Sequence, residues 1–449
     1  EVVHERGCVN HRGSNPCLDT TWIKPGDDFA TPALKTEIFA GLELEGVPIA
    51  TEARRRSECA WLDGFAPGVD FNNFSARMTG EFVAPESGTC TFSIKGFGAN
   101  RLLIDGVCIL DNWSTPTTGA AFYGRGSDEI SCGFEMVAGQ SYQLAIEYQC
   151  PSEPGMVGFS CGCLIPEPDD LMERAVAAAS SCDVAVVVVG LNADWETEGS
   201  DRVDMNLPGR QVELIERVAA ANPRTVVVLN AGSPLAMDWE ERTPSILQIW
   251  YPGQEMGHAL ADVVFGDVSP GGRLPTTIPK RYEDNPAIDN YPGKDGEVHY
   301  EEELRVGYRH YDSQGIAPRF AFGHGLSYSK FEYGEATLSK NKIAAGESLK
   351  LSVEVRNVGS RSCSEVVQVY VHDDESRLFR PEQELRAFEK IELAPDEATV
   401  VNFALDERAL SYYDPAKPGW VVEPGSFEVR IGASSRDIRT RARFDVVAS

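Results

Sequence analysis

Residues 184–207, VAVVVVGLNADWETEGSDRVDMNL, contain the strand and the loop that decide the fold of this chain. Five of the first six residues are valine, and an almost unbroken β-branched run of this length predicts a strand buried on both faces of a sheet. Gly190 ends the run, and a loop with several carboxylates follows. In open α/β sheets, functional side chains lie on loops at the carboxyl ends of strands. Residues 190–207 are therefore a candidate functional loop, although an acidic loop in an acidic chain is most often only solvated.

The region around this loop alternates between helical and strand patterns. Apolar residues recur with helical spacing in residues 169–182, 209–222 and 253–266, and continuous apolar runs occupy 225–231 and 245–252. This alternation predicts a parallel sheet covered on both faces. A nucleotide-binding version of this fold is disfavoured, because no G-x-G-x-x-G motif follows any of the strands.

Two other regions alternate apolar and polar residues with the period of a β-strand, and turn signals separate the runs. Residues 34–166 predict a β-sandwich or a barrel, and residues 334–449 predict a β-sandwich of immunoglobulin-like size. The fold class is therefore multidomain, with an α/β parallel-sheet domain between two β-sandwiches. The predicted limits are 34–166, 167–333 and 334–449, after a short irregular stretch at 1–33.

The composition narrows the possible partners. The 449 residues carry a formal net charge of −28, which argues against binding to nucleic acid and to anionic membrane surfaces. No apolar run is long enough to span a bilayer. A zinc site is disfavoured, since the chain has neither paired CxxC motifs nor HExxH, and no cofactor is predicted. The eleven cysteines and the sequons at 73–75 and 112–114 leave the disulfides and the compartment open, and the oligomeric state is also open.

A long loop in the first sandwich pattern is rich in glycine and aromatic residues. It covers residues 111–126, DNWSTPTTGAAFYGRG, and includes Trp113, Phe122 and Tyr123. Aromatic side chains on a long loop of a rigid scaffold are typical of a sugar-stacking surface. The alternative is that these rings cap the sandwich core, which is at least as reasonable for Trp113.

Several long motifs occur in an order typical of one enzyme family. The α/β region contains EGSDRVDMNLPGRQVELI (198–215), WYPGQEMGHALADVVFGDVSPGGRLPTTIP (250–279), VGYRHY (306–311) and FAFGHGLSY (320–328). In these motifs the chain resembles the C-terminal α/β domain of glycoside hydrolase family 3. The tail, with VEVRNVGSRSCSEVVQVYV and RPEQELRAFEKIEL, resembles the fibronectin type III-like domain of many members. TGEFVAPESGTCTFSIKG and LLIDGV are similar to the protective-antigen-type carbohydrate-binding domain, an insertion in some β-glucosidases of the family. The resemblance implies that residues 1–33 are a first piece of the α/β domain and a linker, and that the β-sandwich of residues 34–166 is inserted into that domain.

The resemblance implies a retaining β-glycosidase, foremost a β-glucosidase, that removes terminal β-linked sugars from small glycosides or oligosaccharides. Family members begin with a (β/α) barrel that supplies an aspartate nucleophile, and this chain has no eightfold βα pattern. We therefore expect this chain to be the C-terminal part of an enzyme and to be inactive without the missing barrel. The expected partners are that barrel and the carbohydrate substrate. Lectin-like relatives of the inserted domain hold calcium through paired aspartates. Here the corresponding turn reads Gly96-Phe97-Gly98-Ala99-Asn100, so calcium is not predicted.

The resemblance also assigns roles to individual residues. A retaining glycosidase needs a nucleophile and a general acid/base roughly 5 Å apart. Family members with the inserted domain carry the acid/base in an E-G-x-D-R motif, which makes Glu198 the acid/base of this chain, while Glu196 is its nearest competitor. Gly199 would let the backbone turn sharply after it. Asp201 and Arg202 are expected to support the loop as an ion pair.

The inserted domain of relatives leans over the active site, so Phe122 and Tyr123 are the candidate substrate-binding aromatics on the leaving-group side. A second interpretation of the whole chain is a non-catalytic carbohydrate-binding protein built from sandwiches. That protein would bind sugar independently of Glu198.

Overall fold

The structure is a computed structural model that describes residues 1–12, 15–26, 31–151, 155–198 and 201–448. The chain forms two compact units. The first consists of Glu1–Cys182, Leu191–Ser200 and Gly209–Ala221, and the second consists of Asp183–Gly190, Asp201–Pro208 and Asn222–Ser449. Among the described residues, no helix has the length and apolar character that crossing a membrane requires. Short 3-10 helices lie at Thr20–Trp22, Glu240–Arg242 and Tyr282–Asp284.

The first unit contains a two-sheet β-sandwich. Its strands are β1 (Leu34–Ala40), β2 (Ala50–Arg54), β3 (Glu58–Trp61), β4 (Phe74–Val83), β5 (Gly88–Phe97), β6 (Ala99–Ile104), β7 (Val107–Asn112), β8 (Ile130–Met136), β9 (Ser141–Gln149) and β10 (Val157–Leu164). The two antiparallel sheets have the orders β2-β1-β4-β9-β6-β7 and β3-β10-β5-β8. Side chains alternate between a core, which includes Trp61, Phe92 and Tyr148, and the outer faces, because successive residues of a strand point to opposite sides.

Two helices of the first unit pack against each other. They are α1 (Leu171–Ser181) and α2 (Gln211–Ala221), and both lie within the predicted helical segments. Leu214, Ile215 and Val218 of α2 are buried, as their spacing predicts. None of the eleven cysteines, all of which lie in the described residues, forms a disulfide.

The second unit contains the predicted parallel sheet. Its strands are β11 (Ala185–Gly190), β12 (Thr225–Asn230) and β13 (Ser245–Gln248), in the order β11-β12-β13. All pairings are parallel, with Val187 opposite Val227. Two further helices of this unit are α3 (Met256–Phe265) and α4 (Tyr308–Ser313). The predicted parallel arrangement is confirmed.

One expectation for β11 is wrong, because the strand is not buried on both faces. The side chains of Val184, Val186 and Val188 are 47%, 42% and 54% exposed, while Val187 and Val189 are buried. β11 lies at the edge of the three-stranded sheet, and among the described residues only one of its faces is covered. The apolar helix α3 likewise has no buried residue in the described chain, and its Phe265 is 74% exposed. The second unit therefore presents valine and phenylalanine side chains to solvent.

The rest of the second unit is a second β-sandwich. Its strands are β14 (Phe331–Tyr333), β15 (Thr337–Leu338), β16 (Lys342–Ala344), β17 (Leu349–Asn357), β18 (Cys363–Asp373), β19 (Glu384–Leu393), β20 (Ala398–Leu405), β21 (Tyr412–Asp414), β22 (Gly419–Val421), β23 (Gly425–Gly432) and β24 (Ile438–Val447). One sheet has the order β14-β17-β15, with β20 also pairing with β17, and the other has the order β16-β24-β23-β18-β19. A separate hairpin, β21-β22, follows the short helix α5 (Glu407–Leu410), which Asp406 caps.

The predicted fold class is therefore confirmed: sandwiches lie before and after an α/β parallel-sheet region. The predicted domain limits remain predictions. All ten strands of the first sandwich lie between residues 34 and 164, and the second sandwich begins at residue 331, but the two compact units divide the chain differently within residues 167–333.

Candidate active site

The candidate loop leaves the sheet at Gly190, the last residue of β11. Gly190 pairs with Asn230 of β12 and has φ of +158°. A Cβ atom at this position would lie 1.9 Å from the carbonyl oxygen of Asn230. The close approach of the two backbones therefore requires glycine where the strand becomes the loop.

The first half of the loop is a turn organised by Asn192. The side-chain oxygen of Asn192 accepts a hydrogen bond from the backbone N–H of Asp194 (3.0 Å). Its carbonyl oxygen accepts hydrogen bonds from the backbone N–H groups of Trp195 and Glu196, both at 3.0 Å. Asn at such a turn supplies a side-chain acceptor that imitates the backbone. Glu196, two residues before Glu198 in the sequence, is partly buried in this turn.

Arg12 holds this turn from a distant part of the sequence. Its backbone N–H donates to Asp194 Oδ2 (3.0 Å), and its Nε–H donates to the Asp194 carbonyl (3.2 Å). Its guanidinium lies 4.2 Å from the centroid of the Trp195 ring, a cation–π contact. The Trp195 indole N–H donates to the carbonyl of Asn10. Sequence reasoning missed Arg12, because 182 residues separate it from Asp194 and no local pattern marks it.

Glu198 lies in a turn of this loop, and its side chain is exposed. The sharp bend predicted at Gly199 lies outside the described residues. The assignment of Glu198 as the acid/base stays a prediction.

Asp201 and Arg202 have different partners from those expected. Asp201 Oδ2 accepts a hydrogen bond from the hydroxyl of Tyr291 (2.8 Å), and this bond together with the Asp201 charge raises the pKa of Tyr291. Arg202 Nη1 donates to Ser233 Oγ (2.9 Å) and to the Pro234 carbonyl (3.2 Å). The expected ion pair between Asp201 and Arg202 is therefore replaced by separate anchors to other segments of the second unit. Tyr291 had no signal in the sequence that linked it to the loop.

The two aromatic candidates on the 111–126 loop differ in exposure. Phe122 is 1% exposed and Tyr123 is 60% exposed. Their ring centroids are 5.0 Å apart and the ring planes are nearly perpendicular, at 88°. Because a buried ring offers no face to a sugar, Phe122 acts in the described structure as the anchor of the loop. Tyr123 is the member of the pair whose ring can reach a ligand.

Comparison with known proteins identifies the family of the chain. The family model described as "Glycosyl hydrolase family 3 C-terminal domain" matches residues 52–328, and the "Fibronectin type III-like domain" model matches residues 365–435. A beta-glucosidase of Rhizobium radiobacter is 40% identical over 420 residues, which are 92% of this chain and 51% of that protein. The Thermostable beta-glucosidase B of Acetivibrio thermocellus is 48% identical over 270 residues, 60% of this chain and 36% of that protein.

Solved structures give the same result. The beta-glucosidase of Kluyveromyces marxianus, whose structure is also solved in complex with glucose, has a TM-score of 0.83 and 34% identity. The match covers 98% of this chain and 54% of that chain. The chain thus spans about half the length of the first relatives it matches. Since the first family model covers more than half of the sequence, the chain belongs to glycoside hydrolase family 3.

Proposed function

We propose that this chain carries the acid/base half of a retaining β-glucosidase site. The observation that carries the proposal is the loop with Glu198, which leaves the carboxyl end of β11 in a chain of glycoside hydrolase family 3. The similarity to proteins named beta-glucosidase supports the substrate class, terminal β-linked sugars on small glycosides or oligosaccharides.

In this mechanism Glu198 acts twice. Its carboxylic acid first protonates the leaving-group oxygen while a nucleophilic carboxylate attacks the anomeric carbon. Its carboxylate then takes a proton from the water that hydrolyses the covalent sugar intermediate. We assign the nucleophile to a (β/α) barrel outside this chain. The supporting observation is that the chain spans about half the length of its relatives.

The side chain of Glu198 is exposed in this chain, whereas a general acid is usually shielded from water. A general acid that holds its proton near neutral pH needs removal from water or a neighbouring negative charge. We propose that the protein segment that brings the nucleophile also covers Glu198. The exposed valines of β11 and the exposed apolar helix α3 support a further protein layer on the second unit, because large apolar surfaces exposed to water usually mark sites of protein contact.

Asp201 and Arg202 take supporting roles in the proposal. Their hydrogen bonds to Tyr291, Ser233 and Pro234 hold the backbone that follows the acid/base residue. Tyr123 is assigned to the leaving-group side of the site. Its exposed ring supports this role, and the buried Phe122 packs against that ring.

The first test uses the 449-residue chain alone. It is expected to show no hydrolysis of p-nitrophenyl β-glucoside, because it lacks the proposed nucleophile. Measurable turnover by the purified chain, retained after removal of contaminating enzyme, would contradict the division into two halves.

The second test uses a chimera in which this chain replaces the aligned part of the Rhizobium radiobacter beta-glucosidase. Glu198→Gln is expected to slow cellobiose hydrolysis by roughly 10²–10⁴-fold, the usual contribution of general acid catalysis. Cleavage of dinitrophenyl β-glucoside in a pre-steady-state burst should slow far less, since that leaving group needs no proton. Glu196→Gln is the matched control. A larger loss in Glu196→Gln than in Glu198→Gln would refute the assignment.

The alternative function, a non-catalytic carbohydrate-binding protein, predicts a different pattern. A folded chimera would then be inactive, while the chain would bind sugar equally well before and after Glu198→Gln. The exposed Tyr123 is the observation that keeps this candidate open.

A further inference from the structure

The tip of the aromatic loop is a two-residue hairpin turn. Phe122 and Arg125 exchange two backbone hydrogen bonds of 3.1 Å, and Tyr123 and Gly124 form the turn between them. Both turn residues have positive φ, +50° and +78°, as in a type I′ turn. Asn-Gly is the preferred pair for this turn, because a bulky side chain is strained at positive φ. Tyrosine at residue 123 is therefore a poor choice for the turn itself.

The turn is nevertheless held firmly on both sides. Phe122 is buried, and the Arg125 guanidinium lies 3.7 Å from the centroid of the Phe97 ring. The backbone N–H of Ser127 donates to the Gly96 carbonyl (2.9 Å) and ties the returning strand to β5. The anchored turn thus holds the exposed Tyr123 side chain in one place. Strain that the surroundings maintain at one exposed residue points to a function of that residue.

Two polar side chains lie beside Tyr123. The Tyr123 hydroxyl donates to Glu58 Oε1 on β3 (3.0 Å). Arg56 Nη2 lies 4.0 Å from the same oxygen, and the Arg56 side chain is 70% exposed. Burial, and then the charge of Glu58, raise the pKa of Tyr123, so the phenol remains a hydrogen-bond donor across the neutral range. An aromatic ring, a carboxylate and a guanidinium therefore occupy one small patch.

We propose that Tyr123, Glu58 and Arg56 form a carbohydrate-binding patch that recognises a pyranose ring. The Tyr123 ring packs against the apolar C–H face of the sugar. The free lone pairs of the Glu58 carboxylate accept hydrogen bonds from sugar hydroxyls, and Arg56 donates to a sugar oxygen. The inference rests on the proposed function in placing Tyr123 at the sugar site, and it adds Glu58 and Arg56 as specificity-determining residues.

The chemistry of the patch favours a neutral polyhydroxylated ligand. The Glu58 carboxylate would repel an anionic ligand, as would the net charge of −28 on the chain. The Arg56 guanidinium would repel a cationic ligand. A sugar has both an apolar face for the ring and hydroxyls that act as donors and as acceptors, so it uses all three side chains at once.

The test measures cellobiose binding to the intact 449-residue chain by isothermal titration calorimetry. Tyr123→Asn and Glu58→Ala are each expected to weaken binding roughly tenfold, the loss of one stacked ring or one charge-assisted hydrogen bond. Glu58→Gln keeps a carbonyl acceptor and should lose less. Tyr413→Ala removes another exposed tyrosine, on the hairpin β21-β22, and is expected to leave affinity unchanged.

Tyr123→Asn also separates binding from folding. It creates the Asn-Gly pair that a type I′ turn prefers, so its melting temperature should equal or exceed that of the wild type. The proposal would be overturned by any one of three results: wild-type affinity in Tyr123→Asn, loss of binding in Tyr413→Ala, or no cellobiose binding by the wild-type chain. The chimera kinetics test the acid/base assignment and calorimetry on the Tyr123 and Glu58 variants tests the patch, so a failure of one is distinguishable from a failure of the other.

Discussion

Replacing Gly190 with alanine tests the geometry that places the candidate loop. The new Cβ would lie 1.9 Å from the carbonyl oxygen of Asn230. Close carbon–oxygen contacts are about 3.3 Å, so the two strands would have to separate locally by about 1.4 Å. Both backbones are paired here, and no flexible side chain can yield instead. Overpacking of this kind costs about 1–3 kcal/mol or more, and we expect a loss at the upper end of that range.

The assay is urea unfolding followed by tryptophan fluorescence and by circular dichroism. Gly257→Ala is the matched control, since Gly257 lies in helix α3 and a Cβ atom there would have no heavy atom within 4 Å outside its own helix backbone. That change should stabilise the chain by roughly 0.5–1 kcal/mol, because glycine is a poor helix former. The opposite signs of the two substitutions isolate the steric effect from the general effect of removing a glycine.

The Gly190→Ala substitution also has a functional consequence in the chimera with the Rhizobium radiobacter enzyme. Displacement of residue 190 moves the start of the acid/base loop, and kcat for cellobiose should fall together with stability. An unfolding midpoint equal to or above that of the wild type would refute the reasoning. It would mean that the close approach of Gly190 to Asn230 does not hold in solution.

Two predictions concern buried charge in the second unit. Arg273 and Glu365 form an ion pair of 2.5 Å, and their side chains are 8% and 7% exposed. Glu365→Ala should lower the free energy of unfolding in urea by about 3–5 kcal/mol, because it leaves a buried charge without its partner. The double substitution Arg273→Met with Glu365→Leu should be nearly neutral, and equal losses of stability in the two variants would contradict this. Burial, and then Arg273, lower the pKa of His324, so the folded state binds its proton less readily than the unfolded state. Stability should therefore fall as pH drops below about 6.5, and His324→Gln should reduce that slope in melting experiments; an unchanged slope would exclude the histidine.

Helices and strands in this chain follow from local patterns. The predicted helical segments 169–182, 209–222 and 253–266 contain α1, α2 and α3, each shorter by a few residues. Their ends shift because capping and turn geometry, rather than periodicity, decide where a helix stops. The alternation of apolar and polar residues likewise located the two sandwiches, since each strand buries one face.

The candidate site was only partly predictable. Residues 190–202 were recognised from a strand that ends in a polar loop and from the family motif, but the partners of that loop were not. Arg12 and Tyr291 reach it from sequence positions far away, and Asp201 and Arg202 bond to separate segments instead of to each other. Hydrogen bonds of long sequence separation leave no local pattern, because nothing in the intervening residues depends on them.

The amino-acid sequence by itself determined the order of sandwich, parallel sheet and sandwich, and the family to which the chain belongs. The order of domains follows from the periodicity of apolar residues, and the family follows from motifs of contiguous residues. Only the tertiary structure decided that one face of β11 is exposed, that Phe122 is buried while Tyr123 projects, and that Glu58 accepts a hydrogen bond from the Tyr123 hydroxyl. Burial and side-chain pairing depend on which residues the fold brings together. Two adjacent aromatic residues of similar chemistry can therefore have opposite roles.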